Sequence, residues 1–170
     1  LYPQYEFVFT DLPELSITDK EAVENFFKEI KPSYLINCAA YTAVDKAESE
    51  IELNELINGT AVGILARACK NYGTKFIHIS TDYVFDGNAS SPLKETDEVD
   101  PVNAYGASKL LGEQLAIENE PDCIIIRTSW VYSFHGKNFV KTMMRLMNEK
   151  ESIGVVSDQL GSPTYAADLA

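Results

Sequence analysis

Two residues spaced one helical turn apart have the chemistry to move a proton. Tyr105 and Lys109 occupy the ends of the segment Tyr-Gly-Ala-Ser-Lys, and positions i and i+4 share one face of a helix. A free tyrosine has a pKa of about 10 and is a poor acid-base group at neutral pH. Because a nearby cation stabilises the phenolate, the spacing predicts that Lys109 lowers the pKa of Tyr105.

A hydroxyl group at the end of a strand could complete this site. Ser80, Thr81 and Asp82 directly follow the strand-like run 76–79. A hydroxyl there could hold a substrate carbonyl against the phenol, which is the arrangement needed to move a proton on or off a carbinol oxygen. The Tyr-x-x-x-Lys pattern alone occurs in many surface helices, so the prediction depends on both segments together.

The bulk properties limit the classes of partner. The 170 residues, of which 45% are apolar, suit one domain with a core of ordinary density. The net charge of −12, from 14 basic and 26 acidic residues, argues against nucleic acid and against an anionic membrane surface, because both attract basic proteins. No apolar run approaches the roughly 20 residues of a membrane-spanning helix.

The histidines and cysteines give little support to a metal or disulfide site. His78 and His135 belong to no cluster with metal-ligand spacing, and His78 is expected to lie in a strand beneath a helix. Cys38, Cys69 and Cys123 show no CxxC spacing. Reduced thiols, together with the lack of a signal peptide at the start of the chain, predict a cytoplasmic protein without bound metal.

Short β-like runs alternate with helical patterns along the chain. The predicted strands cover residues 5–10, 34–40, 76–80, 123–127 and 153–156. The predicted helices begin at a capping box formed by Thr18 and Glu21, cover about 51–72, extend from near Tyr105 to about 119, and cover about 138–149. This alternation predicts an α/β fold, a Rossmann-like doubly wound parallel sheet that is incomplete.

In such sheets ligands bind outside the carboxyl ends of the strands. Polar residues fall at three of these ends: Thr10 and Asp11, residues 39–42, and residues 80–82. An acid in the place of Asp11 can accept hydrogen bonds from the ribose hydroxyls of a dinucleotide and would repel a 2′-phosphate, which mildly favours NADH over NADPH.

Four segments in order carry a family resemblance, namely residues 37–48, 80–87, 105–109 and 127–132. The chain resembles the extended short-chain dehydrogenase/reductase family, and within it the dTDP-4-dehydrorhamnose reductase branch. The resemblance runs along nearly the whole chain. It implies reduction of the C4 ketone of a dTDP-4-keto-6-deoxy sugar, dTDP-4-dehydrorhamnose to dTDP-L-rhamnose, by NADH or NADPH.

The resemblance also implies roles for individual residues. Tyr105 would give the proton, Lys109 would lower its pKa and hold the nicotinamide ribose, and Thr81 would bind the carbonyl oxygen. Thr81 and Asp82 would contact the sugar, with Trp130 beside it. The residues implied in cofactor binding are Asp11, Ser16, Ile17, Ala39, Ala40, Tyr41, Thr42, Ile79, Tyr105 and Lys109. Weaker candidates for contact with the nucleotide-sugar are Asn138, Gln159 and residues 161–164.

The sequence departs from the family pattern at both ends. The first strand and the Gly-x-x-Gly-x-x-Gly turn that cradles a pyrophosphate have no counterpart. We therefore expect residues 1–170 to be one dinucleotide-binding domain, truncated at both ends, with the substrate lobe starting near residue 130. Such a chain alone would be inactive and bind dinucleotide weakly, and its uncovered apolar surface would favour a homodimer.

Two alternatives remain at this point. One is a nucleotide-sugar dehydratase or epimerase, although dehydratases carry a Thr-Asp-Glu sequence and Tyr83 stands at the Glu position here. The other is a non-catalytic regulatory subunit, similar to that of methionine adenosyltransferase, which would retain Tyr105 and Lys109.

Overall fold

The computed structural model describes residues 3–157, 159 and 161–170. The chain divides into two compact units, one ending at Ile126 and one beginning at Arg127. Its helices are α1 (Lys20–Ile30), α2 (Val44–Ala47), α3 (Ile51–Glu55), α4 (Ala61–Tyr72), α5 (Ala104–Asn119), α6 (Phe139–Glu149) and α7 (Ala166–Leu169). Its strands are β1 (Tyr34–Asn37), β2 (Lys75–Thr81), β3 (Ile124–Thr128), β4 (Val131–Tyr132) and β5 (Thr164–Tyr165).

The predicted α/β class with parallel strands is confirmed. β1 and β2 run parallel, with Tyr34 opposite Lys75 and Ile36 opposite Ile77, and β3 lies on the other side of β2. In the second unit, β4 and β5 form a separate parallel pair.

The core of the first unit lies between helices α1, α4 and α5 and one face of the sheet. Phe27, Val62, Phe76 and Ala116 belong to this buried cluster. Because successive strand residues point to opposite faces, the other face carries exposed apolar side chains, with Ile36 54% exposed. Every helix in the described part of the chain is too short or too polar to cross a bilayer.

The predicted long helix over 51–72 is confirmed, with one irregular turn inside it. A π-helical turn, Leu56–Thr60, joins α3 to α4. Gly73 ends α4 with a φ of 67°, in the left-handed region that favours glycine. π turns of this kind occur mostly as single insertions in α-helices and often lie beside functional sites.

Three local predictions were wrong. Residues 5–10 and 153–156 form no strand. A strand needs hydrogen bonds to a neighbouring strand, and no described strand pairs with either segment; Phe9 is 89% exposed. The cap of α1 is Asp19 rather than Thr18, because Asp19 accepts hydrogen bonds from the amides of Glu21 and Ala22 at 2.9 and 3.0 Å.

Candidate functional site

The carboxyl end of β2 presents a buried hydroxyl. Thr81 is 5% exposed and caps a short 3-10 turn, Asp82–Val84. Its Oγ1 accepts from the Tyr83 amide at 3.2 Å and donates to Asp82 Oδ1 at 3.2 Å. These bonds restrict the rotamer of Thr81 and hold the hydroxyl where the strand ends.

Two glycines bring α5 close to this strand end and to the π turn. A Cβ on Gly106 would overlap the carbonyl oxygen of Tyr83, and one on Gly112 would overlap the carbonyl oxygen of Asn58. Asn103 begins α5 by accepting from the Gly106 amide at 2.7 Å. The residue type at these positions therefore determines how near the helix approaches the site.

Tyr105 lies in the first turn of α5, against the strand end. Its ring meets that of Tyr83 edge-on at 5.6 Å between centroids, and the Thr81 side chain is close enough to act on the pKa of its hydroxyl. Burial raises the pKa of Tyr105 above its ordinary value, the Thr81 side chain opposes that shift, and Asp82 and Tyr83 add to it. At neutral pH the phenol is therefore protonated.

The predicted lowering of the Tyr105 pKa by Lys109 was wrong. The Lys109 ammonium is committed elsewhere, because Nζ donates to the carbonyl oxygen of Ile79 at 2.7 Å and lies 3.4 Å from His78 Nε2. Its charge acts on the pKa values of His78 and Cys38. The i, i+4 spacing places both side chains on one face but does not make them direct partners.

Lys109 is one of the most buried polar residues, at 2% exposure. Burial lowers its pKa to about 8, while Glu113 and Cys38 oppose the shift. A lysine with such a pKa changes charge close to physiological pH, which is a common property of functional sites. It lies one helical turn from Tyr105 and contacts the backbone of the same strand that ends at Thr81.

Below Lys109, the ring of His78 is completely buried, which confirms its prediction as a strand residue beneath a helix. Burial first, and the Lys109 charge second, lower the pKa of His78 to about 3. Nδ1 lies 3.1 Å from Asn37 Nδ2, and Asn37 Oδ1 accepts from the Ala39 amide at 3.1 Å. A hydrogen-bonded chain thus connects the end of β1 to Lys109.

A second buried polar network was missed from the sequence. Asn58, in the π turn, accepts from the Tyr41 amide at 2.9 Å and donates to the Tyr41 carbonyl at 3.0 Å. Its Nδ2 also lies 2.9 Å from Asn54 Oδ1 and 3.1 Å from Ser108 Oγ. The network connects the loop after β1 to α5. The sequence signal was a pair of asparagines, Asn54 and Asn58, four residues apart in the predicted helix 51–72.

The residues after β1 form the loop predicted to line a cofactor groove. Ala39 and Thr42 are exposed, whereas Ala40 and Tyr41 are half-buried. The Tyr41 hydroxyl donates to Glu50 Oε2 at 2.7 Å. The Asn58 contacts with the Tyr41 backbone fix the conformation of the loop.

Three of the predicted cofactor residues, Asp11, Ser16 and Ile17, lie before α1. The Asp11 carboxylate is exposed, and its Oδ1 accepts from the Leu12 amide at 2.8 Å. Ser16 Oγ lies 2.9 Å from Thr18 Oγ1, and Ile17 packs against the core of the first unit. Asp11 follows a segment without regular secondary structure rather than the predicted strand.

Trp130 belongs to the second unit. It is 41% exposed, its φ is +48°, and its ring meets Phe139 edge-on at 5.5 Å. A Cβ on Gly161 would overlap the indole. A left-handed backbone costs roughly 1–2 kcal/mol for a residue other than glycine; the hydrogen bond from the Thr164 amide to the Trp130 carbonyl, at 3.4 Å, helps to hold it.

The weaker candidates also lie in the second unit. Asn138 caps α6 by accepting from the Lys141 amide at 3.1 Å, and it donates to the Ser133 carbonyl at 2.7 Å. Gln159 is exposed. The described residues contain no group of three His, Cys, Asp or Glu side chains that could hold a metal ion.

The structure thus brings one set of predicted residues together at the end of β2: Thr81, Asp82, Tyr105, Lys109 and Ile79. The family described as "RmlD substrate binding domain" matches residues 3–170. The chain belongs to this family. The matched range contains both parts of the assembled site, namely the end of β2 and helix α5.

Named relatives are about half identical to the chain over the aligned residues. It is 50% identical over 157 residues to a dTDP-4-dehydrorhamnose reductase of Burkholderia thailandensis, covering 92% of the chain and 53% of the relative. It is 46% identical over 167 residues to one of Aggregatibacter actinomycetemcomitans, covering 98% and 57%. The chain therefore spans about half the length of these curated relatives.

A solved structure agrees with the fold. The dTDP-4-dehydrorhamnose reductase of Bacillus anthracis str. Ames, determined in complex with NADP, is 46% identical and superimposes with a TM-score of 0.96. The alignment covers 99% of this chain and 60% of that protein.

Proposed function

We propose that the protein reduces the C4 ketone of a dTDP-4-keto-6-deoxy sugar, converting dTDP-4-dehydrorhamnose to dTDP-L-rhamnose. The observation that carries the proposal is the placement of the Tyr105 phenol, in the first turn of α5, against the strand end that bears Thr81. Reduction of a ketone requires a proton donor at the carbonyl oxygen. A phenol whose pKa is raised by burial is in the donating form at neutral pH.

The residues around this pair fit a nicotinamide cofactor. The loop 39–42 and Lys109 lie at the carboxyl ends of neighbouring parallel strands, where dinucleotides bind in folds of this class. Lys109 Nζ offers N–H donors suited to ribose hydroxyls, and the exposed Asp11 carboxylate offers acceptors for the adenosine ribose. When bound, NADH or NADPH would supply the hydride.

The preference between the two cofactors is a separate question. Asp11 favours NADH by repelling a 2′-phosphate, whereas the related Bacillus anthracis protein was solved with NADP. We infer that the protein uses either one, and the preference for NADH stays a prediction. A comparison of kcat/KM for NADH and NADPH with the intact protein measures it.

In the proposed reaction, Thr81 and Tyr105 direct their hydroxyls at the substrate carbonyl oxygen. Thr81 orients that oxygen, and Tyr105 donates its proton as negative charge develops there. Asp82 is proposed to bind sugar hydroxyls, and the role of Trp130 at the sugar stays a prediction. Holding these groups in position before the reaction lowers the entropic part of the activation barrier.

The cysteines support a cytoplasmic location. Cys38, Cys69 and Cys123 are all free thiols, and free thiols persist in reducing compartments. Burial raises the pKa of each of them, which favours the protonated thiol.

The direct test is incubation of the intact protein with dTDP-4-dehydrorhamnose and NADPH or NADH, followed by identification of the product. We expect oxidation of the cofactor in step with formation of dTDP-L-rhamnose. Cofactor oxidation that requires a different nucleotide-sugar would reassign the substrate. A product formed without net cofactor consumption would identify an epimerase and overturn the proposal.

A further inference from the structure

The ring of His78 lies between two nitrogen atoms. Asn37 Nδ2 is 3.1 Å from Nδ1, and Lys109 Nζ is 3.4 Å from Nε2. Both His78 and Lys109 are buried, at 0% and 2% exposure. With so little access to water, the protons on these nitrogens must be arranged among the groups themselves.

The orientation of Asn37 determines which ring nitrogen carries the proton. Asn37 Oδ1 accepts from the Ala39 amide at 3.1 Å, so the NH₂ group faces the ring. An amide nitrogen has no lone pair to offer. Nδ1 of His78 must therefore accept, and the single proton of the neutral ring is on Nε2, facing Lys109.

The Nε2 proton can hydrogen-bond to only one form of Lys109. An ammonium group has three donors and no acceptor, whereas the uncharged amine has a lone pair. When Lys109 is an amine, the 3.4 Å contact lets the His78 Nε2 proton meet the lone pair of Nζ, which is favourable. When Lys109 is an ammonium, two N–H donors face each other, which is unfavourable. The bond from Nζ to the Ile79 carbonyl, at 2.7 Å, is available in both forms.

We propose that Asn37 and His78 form a positioning pair that holds the Lys109 side chain and favours its uncharged amine. The assignment of this pair to the reduction depends on the proposed function; its effect on Lys109 does not. The other titratable groups that act on Lys109 are Glu113 on α5 and Cys38 after β1, and both favour the ammonium. In this proposal His78 lowers the pKa of Lys109 toward neutral pH, as burial does, whereas Glu113 and Cys38 raise it.

Nitrogen-15 spectra of the intact, histidine-labelled protein test the first step. We expect His78 to show one neutral tautomer, protonated at Nε2, from pH 5 to pH 8. A proton at Nδ1, or an imidazolium in this range, would overturn the proposal. His135→Phe removes the other histidine and assigns the signals.

The titration of Lys109, followed through its Cε signal, tests the second step. We expect a midpoint near 8 in the unaltered protein and a rise of about one unit or more in His78→Phe. Burial beneath a phenyl ring would leave the midpoint unchanged or lower it, so either result in folded His78→Phe contradicts the proposal.

A second variant tests the same connection in case His78→Phe does not fold. In Asn37→Asp the carboxylate can accept from Nδ1–H, so we expect the tautomer to switch and the Lys109 midpoint to rise. An unchanged tautomer would contradict the proposal. Both measurements are made without turnover, so a missing reductase activity would overturn the proposed function alone.

Discussion

His78 makes the stability of the folded chain sensitive to acid. Its pKa is about 3 when folded and about 6.5 in an unfolded chain. Between these values the unfolded chain binds a proton that the folded chain does not, so stability is fully present above pH 6.5 and falls as the pH decreases toward 3. We expect this residue alone to contribute a slope of up to about 1.4 kcal/mol per pH unit.

Urea unfolding at several pH values between 6.5 and 4.5 measures this slope. In His78→Phe the free energy of unfolding should depend less steeply on pH than in the unaltered protein. The matched control is His135→Phe, because His135 is exposed and its replacement should leave the slope unchanged. Equal slopes in all three proteins would show that His78 is not buried in its neutral form.

At the level of single residues, the sequence predicted the types of the catalytic candidates but not their electrostatics. The spacing of Tyr105 and Lys109 placed them on one helix face, as found. It could not show that Lys109 bonds to Ile79 and His78, because those contacts depend on how α5 lies across β2. The sign of the Tyr105 pKa shift follows from burial, which the spacing alone does not determine.

The close approach of α5 to the turn after β2 depends on Gly106. Alanine normally stabilises a helix by about 1 kcal/mol relative to glycine. Here the added Cβ would overlap the Tyr83 carbonyl oxygen, and overpacking of this kind costs roughly 1–3 kcal/mol. We expect Gly106→Ala to lower the free energy of unfolding and to lower kcat/KM by moving Tyr105 away from Thr81.

Denaturant unfolding and steady-state kinetics of the full-length protein check this prediction. Gly154→Ala serves as the control, because a Cβ at Gly154 would meet no atom within 4 Å and should change stability by less than about 0.5 kcal/mol. If Gly106→Ala were as stable and as active as Gly154→Ala, the close contact between α5 and the turn would be wrong.

At the level of elements, the helices over 51–72 and about 138–149 were predicted well from the sequence. Helix periodicity and the cap at Gly73 predicted the long helix ending at Tyr72, and the helix predicted over about 138–149 is α6. The π turn was not predicted, because it arises where α5 crosses the helix and no local pattern indicates it. Residues 5–10 have the alternation of a strand, but strand formation depends on a partner elsewhere.

The outer face of the three-stranded sheet is apolar and exposed. Tyr34, Ile36 and Ile124 are 62%, 54% and 54% exposed. Contiguous apolar patches of this kind are uncommon on isolated proteins and favour association. We expect the 170-residue chain, produced by itself, to self-associate, as a homodimer or larger, in sedimentation equilibrium.

A charged substitution on this face provides the comparison. Ile36→Lys should weaken the association while changing the free energy of unfolding little, because the side chain is already half in water. The matched control, Ile17→Lys, replaces an isoleucine packed against the core and should instead lower stability. A chain that is monomeric at high concentration without any substitution would refute the prediction.

The most direct test of the account is the replacement of Tyr105 by phenylalanine in the full-length protein. The change keeps the ring and its contact with Tyr83 but removes the hydroxyl that donates the proton. Loss of a general acid reduces rates by about 10²-fold or more. Tyr72→Phe is the control, because the Tyr72 hydroxyl bonds to Glu24 on α1, away from the strand end.

The measurement is kcat for reduction of dTDP-4-dehydrorhamnose, with folding verified by thermal unfolding. We predict that Tyr105→Phe folds normally and that its kcat is at least about 10²-fold below that of the unaltered protein, whereas Tyr72→Phe retains activity. A folded Tyr105→Phe protein with unchanged kcat would contradict the assignment of this phenol as the proton donor.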